Sequence, residues 1–137
     1  MHGLMKKKSR ILAVDDEEAI AESIAYLLEA PHRTIAVAKD GKEALALAAR
    51  EKFDLIITDH RMPRVTGLEL VRRLRAREFA GKIIVLSAHL TEENIRAYEE
   101  LKVDMMLAKP FDVEELRLAM NLLTKKPSPS VTAPLAP

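Results

Sequence analysis

The 137-residue chain contains no cysteine and no tryptophan, and aromatic residues make up only 4% of it. Without cysteine there is no disulfide framework, no thiolate nucleophile and no zinc-finger ligand set, which fits an intracellular setting. No apolar run approaches the length of a bilayer span, and the opening MHGLMKKKSR is basic but carries no apolar stretch of the kind secretion requires. These absences lead us to expect a cytoplasmic protein without membrane contact. Charge of one sign is also missing in excess: 22 basic and 21 acidic residues leave a net charge of +1, so nothing draws the whole molecule to nucleic acid or an anionic surface. The cluster Lys6, Lys7, Lys8 and Arg10 reads as a solvated terminal arm.

What is present is alternation. Ile11–Val14 is a short apolar run ending in acids, and the stretch after it sets Ile20, Ile24, Leu27 and Leu28 on one helical face. Pro31 and His32 break that helix before the β-branched segment Thr34–Ala38. Asp40 with Glu43 is a capping-box pattern opening a helix to Glu51, and Leu55–Thr58 is a third strand. Thr66 with Glu69 starts a further helix in which Leu70, Val71 and Leu74 face inward, and Lys82–Leu86 is the most apolar strand. Thr91 caps a helix reaching about Leu101. Asp104–Ala108 is a weaker strand, and Asp112 with Glu115 caps a last helix with Val113, Leu116, Met120 and Leu123 at helical spacing.

Strands that are continuously apolar, each followed by a helix, indicate a parallel sheet covered on both faces. The expected fold is therefore a doubly wound α/β domain with five strands and five helices. It should occupy residues 9–124, between a basic arm at 1–8 and a proline-rich flexible tail at 125–137 (KKPSPSVTAPLAP).

In an open parallel sheet a site forms outside the carboxyl ends of the strands. The residues just past them are Asp15 and Asp16, Asp59, Ser87, and Lys109 with Pro110. Three carboxylates on one edge repel one another by a few kcal/mol each at intermediate dielectric, so at neutral pH they need a cation or raised pKa values. Oxygen ligands without imidazole or thiolate select a hard divalent ion, Mg²⁺ foremost, with open positions that admit a phosphoryl oxygen. Lys109 adds a mobile positive charge and Ser87 a hydroxyl donor. A cofactor phosphate, by contrast, would need a glycine- or hydroxyl-rich loop after the first strand, and Val14–Glu18 is acidic there.

Four strings in order at these strand ends, VDDEE at Val14–Glu18, TDHRMP at Thr58–Pro63, LSA at Leu86–Ala88 and KPF at Lys109–Phe111, resemble the receiver domain of two-component response regulators, across about residues 9–124. The resemblance implies the flavodoxin-like strand order 2-1-3-4-5. It also implies that Asp59 is the phosphoacceptor, that Asp15, Asp16, Asp59 and the backbone carbonyl of Arg61 hold Mg²⁺, that Ser87 is the switch hydroxyl and that Lys109 contacts the phosphate. Arg61 and His89 would tune hydrolysis of the acyl phosphate, and Lys109-Pro110 would be cis.

The implied phosphodonor is a sensor histidine kinase or phosphotransfer protein. The output is an unknown downstream protein, with no direct nucleic-acid contact. The protein would be a stand-alone signalling molecule rather than an enzyme, one that takes up and loses its own phosphoryl group. A degenerate receiver that binds partners regardless of phosphate is the alternative. Departures from the family pattern are Met106, where an aromatic is usual, and Lys102 or Val103, where a glycine is usual. Asp104 is an acid that could pair across a dimer, but Arg117 on the last helix lies in a different register, so such a dimer is not assumed. His60 and His89 read as surface residues, and Tyr98 as either core cover or a partner-facing anchor.

Overall fold

A computed structural model describes residues 8–124. The expected arm at 1–8 and tail at 125–137 therefore lie, apart from Lys8, outside the described residues. Five strands, β1 (Ser9–Val14), β2 (Arg33–Ala38), β3 (Leu55–Asp59), β4 (Lys82–Ser87) and β5 (Met105–Ala108), alternate with α1 (Glu18–Leu28), α2 (Gly41–Arg50), α3 (Gly67–Ala76), α4 (Glu92–Glu100) and α5 (Val113–Thr124). All neighbouring strands pair in parallel, in the order β2-β1-β3-β4-β5. The doubly wound sheet expected from the apolar runs is the one observed.

The strand pleat sorts the core into two halves. Leu12, Val14, Ile56, Ile83 and Val85 point to the face covered by Ala44, Leu45, Leu70, Val71, Leu74 and Tyr98 of α2, α3 and α4. Ile11, Ala13, Leu55, Ile57, Ile84 and Leu86 point to the other, under Ile24, Leu28, Leu116, Ala119 and Met120 of α1 and α5. Alternate residues of every central strand are thus buried on opposite sides, as a parallel sheet covered on both faces requires.

The helix starts follow the capping logic with local variations. Glu43 N–H donates to Asp40 Oδ1 at 2.8 Å, while the Glu43 carboxylate reaches back to Lys39 N–H rather than to the cap residue. Thr66 accepts from Glu69 N–H and Thr91 from Asn94 N–H, both at 3.1 Å. At α5 the reciprocal half dominates: Asp112 N–H donates to the Glu115 carboxylate at 3.0 Å, and Asp112 accepts from Glu114 N–H at 3.0 Å.

Several residue expectations need correction. Leu27 is exposed, because the buried stripe of α1 is Ala21, Ile24 and Leu28, and one further residue turns the side chain about 100° away from the sheet. Val113, in the first turn of α5, is only half-buried, whereas Leu116 and Met120 are core. Arg10 does not belong to a free arm. It lies within β1, pairs with Glu51 and stacks over the Phe53 ring at 5.3 Å. Asp104 precedes β5 and accepts from Ile83 N–H at 2.9 Å, with Lys82 Nζ at 3.9 Å, so its carboxylate is engaged within its own domain. Lys102 is the residue standing where a glycine was expected, in the left-handed region at φ 62°.

Candidate functional site

The site grows from the carboxyl ends of β1, β3, β4 and β5. Asp59 closes a strand whose five residues are all buried, and its neighbours β1 and β4 hold it centrally in the sheet. Its backbone is fixed on two sides. The next residue, His60, donates its N–H to the Leu86 carbonyl and accepts from Gly67 N–H, both at 2.9 Å. A Cβ on Gly67 would lie 2.4 Å from the Asp59 carbonyl oxygen and 2.8 Å from His60 Cα, so only glycine lets α3 start this close to the strand end.

Asp15 and Asp16 directly follow the neighbouring strand β1. Each of Asp15, Asp16 and Asp59 offers a carboxylate oxygen, and these all lie within 4.8 Å of one another. Asp15 is buried and Asp16 exposed. Asp15 Oδ1 accepts from Glu17 N–H at 2.9 Å, but Oδ2 is buried without a hydrogen-bond partner. Burial raises the Asp15 pKa to about 6, with the Asp59 and Asp16 charges adding to the rise and the Glu17 hydrogen bond and Lys109 opposing it. A buried carboxylate oxygen with no donor, beside two further carboxylates, is the environment a hard divalent cation satisfies. The donor set thus fits Mg²⁺.

Lys109 follows β5 and reaches across to Asp59, its Nζ 2.5 Å from Oδ1. Burial pulls the ammonium pKa down, but the hydrogen bond to Asp59 and the charges of Asp59, Asp15 and Glu17 outweigh it, and the net shift is upward. The Lys109-Pro110 peptide is cis, as the resemblance implied. Ser87 ends β4, buried; its Oγ accepts from His89 N–H at 3.0 Å, and its carbonyl accepts from Lys109 N–H at 2.9 Å. The sequence-selected residues Asp15, Asp16, Asp59, Ser87 and Lys109 therefore converge on one sheet edge. The Arg61 and His89 side chains are exposed beside it.

One pair was not foreseen. His60 is half-buried instead of lying on the surface, and its Nδ1 hydrogen-bonds the Tyr98 hydroxyl at 2.6 Å, the rings meeting edge to face at 5.5 Å. Tyr98 is 0% exposed, which decides for core over partner-facing anchor. Burial lowers the His60 pKa and raises that of the Tyr98 phenol, so both are neutral at pH 7. Helical spacing could have placed Tyr98 inward, but nothing in the string TDHRMP signals its partner.

Residues 11–121 match the family model of the response regulator receiver domain. The chain belongs to this family. Relatives of the receiver include the response regulator MprA of Mycobacterium leprae (strain TN), 37% identical over 124 residues that make up 90% of this chain and 54% of that protein. A response regulator receiver protein of Anaeromyxobacter sp. (strain Fw109-5) is 36% identical over 107 residues, 78% of this chain and 45% of that one. Among solved structures, the receiver domain of Francisella response regulator 1452 is 35% identical with TM-score 0.77, covering 85% of this chain and 96% of its own. A response regulator receiver protein from Pseudomonas putida is 31% identical with TM-score 0.81, covering 86% and 99%. The receiver spans about half the length of the curated relatives it matches. It is thus a receiver domain of the response regulators of two-component signalling, and no helix among its described residues is long and apolar enough to cross a membrane.

Proposed function

We propose that this receiver takes a phosphoryl group from the phosphohistidine of a sensor kinase or phosphotransfer protein onto Asp59, with Mg²⁺ bound, and that the phosphorylated form changes the binding of a downstream protein. The observation that carries the reading is the 2.5 Å pair of Lys109 Nζ and Asp59 Oδ1 beside the Asp15 and Asp16 carboxylates. An acceptor, a charge-neutralising lysine and a cation-hungry acidic pair are what in-line phosphoryl transfer to a carboxylate demands.

In the transfer, an Asp59 carboxylate oxygen attacks phosphorus, the phosphorus–nitrogen bond of the donor breaks, and the histidine nitrogen leaves with its electron pair, forming an acyl phosphate. Lys109 turns from the carboxylate to an oxygen of the arriving group, so its positive charge stays where negative charge accumulates. The Ser87 hydroxyl, presented at the end of β4, donates to another of these oxygens. Exposed Ala88 adds little bulk beside that strand end. Asp15, Asp16, Asp59 and the Arg61 carbonyl would hold Mg²⁺, which when bound neutralises the carboxylates and a phosphoryl oxygen together. Water later attacks phosphorus, the bond to Asp59 breaks, and inorganic phosphate leaves; Arg61 and His89, exposed at the rim, lie where they would tune that step.

Incubation with acetyl phosphate and Mg²⁺ followed by intact mass measurement tests the reading. One added phosphoryl mass on the native chain, absent with chelator and absent from Asp59→Asn, is expected. An unmodified native protein would sink it. Equal affinity for a partner with and without beryllofluoride would instead favour a phosphate-independent binding module.

A further inference from the structure

Three polar groups of His60 each engage a different element. Its N–H is bonded to the Leu86 carbonyl, one residue before Ser87 on β4. Its carbonyl takes the first N–H of α3, from Gly67, at 2.9 Å. Its ring reaches α4: Asn94 Nδ2 lies 3.4 Å from Nε2, and the Tyr98 hydroxyl 2.6 Å from Nδ1.

The chain of bonds continues beyond Tyr98. The Tyr98 carbonyl accepts from Leu101 N–H and Val103 N–H, both at 3.1 Å, and Asp104 N–H donates to the Ile83 carbonyl at 3.0 Å. The residue next to Asp59 is thereby linked, bond by bond, to the end of α4 and the turn into β5. β5 itself, Met105–Ala108, carries no aromatic side chain that could follow a movement of Ser87. Met106 is half-buried beside a groove of about 310 Å³ lined by Ser87, Leu90 and Ile95, and an unbranched side chain fills such a gap in several rotamers without forcing its neighbours to move.

Tyr98 has no such latitude. The ring is fully buried, and its hydroxyl sits 3.0 Å from where a Cβ on Gly67 would be. A displacement of the 59–60 backbone or of Leu86 must be met by a shift of α4 or by loss of a buried hydrogen bond.

We propose that His60 and Tyr98 are positioning residues that set the placement of α4 according to the occupancy of Asp59, so that α4 and the turn into β5, rather than a β5 side chain, report phosphorylation. This rests on the phosphoacceptor reading of Asp59.

Amide NMR spectra of the full ¹⁵N-labelled chain with Mg²⁺, before and after beryllofluoride, test it. In the native protein, shifts are expected at Asp59–Met62 and Ser87 and also along Asn94–Val103. In Tyr98→Phe, which keeps the ring and removes the hydroxyl, and in His60→Leu, the site shifts persist while those of Asn94–Val103 are lost. His60→Asn, whose amide stands near the Nδ1 position, restores them. The chain has two tyrosines and no tryptophan, so in Tyr26→Phe the emission of Tyr98 alone changes on beryllofluoride addition, a readout that requires no loss of stability. Full-size α4 shifts in Tyr98→Phe, or Tyr98 emission indifferent to beryllofluoride, overturn the proposal. Absence of the site shifts in the native protein overturns the phosphoacceptor reading itself, and this one with it.

Discussion

Asp15 behaves oppositely to the usual structural aspartate. Its folded pKa of about 6 lies above the ordinary aspartate value of 3.8, so the folded chain holds this proton more tightly than the unfolded one. Metal-free stability accordingly gains from Asp15 protonation at low pH, and the gain is lost as pH rises through about 6. A cation at this site competes with that proton. Mg²⁺ affinity, followed by titration calorimetry, should be level above pH 7 and fall by about tenfold per pH unit below the Asp15 pKa. Asp15→Asn removes both the proton step and most of the affinity.

At the residue scale the sequence was most legible where one residue type has one chemical use. Acids and a lysine at the ends of apolar strands could be selected without knowing distances. His60 could not, because its contact with Tyr98 joins the loop after β3 to α4, thirty-eight positions away. Arg75 was hidden for the same reason. It reads as one of several arginines on α3, yet its guanidinium donates to the carbonyls of Phe79, Gly81, Leu101 and Lys102, holding α3 against the turn that leads to β5.

At the scale of elements, period and capping were enough to find all ten, because buried parallel strands and amphipathic helices differ plainly in pattern. Their edges moved by one or two residues where hydrogen bonding, not hydrophobicity, sets the end: β1 begins at Ser9, whose N–H donates to the His32 carbonyl at 3.1 Å. The α4–β5 connection shows a residue working against its own preference. Lys102 holds φ 62°, a region that costs an L-residue with a Cβ about 1 kcal/mol or more. Lys102→Gly keeps the backbone carbonyl that Arg75 uses and is expected to stabilise the domain by about 0.5–1 kcal/mol in urea unfolding, the relief being partly offset by glycine's greater unfolded-state entropy.

For the whole molecule, the two half-cores leave the carboxyl edge of the sheet as the place where charge is concentrated and unbalanced, three carboxylates against Lys109. A ligand that binds only the folded arrangement stabilises all of it by mass action. Saturating Mg²⁺ should therefore raise the melting temperature, with about 2.7 kcal/mol gained at a hundredfold excess over Kd, and chelator should reverse it. Asp59→Asn and Asp16→Asn should both show a smaller rise; Asp16→Asn, which relieves repulsion without breaking the Lys109–Asp59 pair, should also be more stable than the native chain when metal is absent.

Gly67 has a consequence of another kind. The end of β3 at Asp59, the start of α3 and the Tyr98 hydroxyl meet at a point where not even a methyl group fits. A machine joint with no play passes on every small displacement and absorbs none. Position 67 is therefore closed to any larger side chain, and a displacement on one side of this contact has to be taken up by the strand, by α3 or by Tyr98, because no empty space at the joint can absorb it.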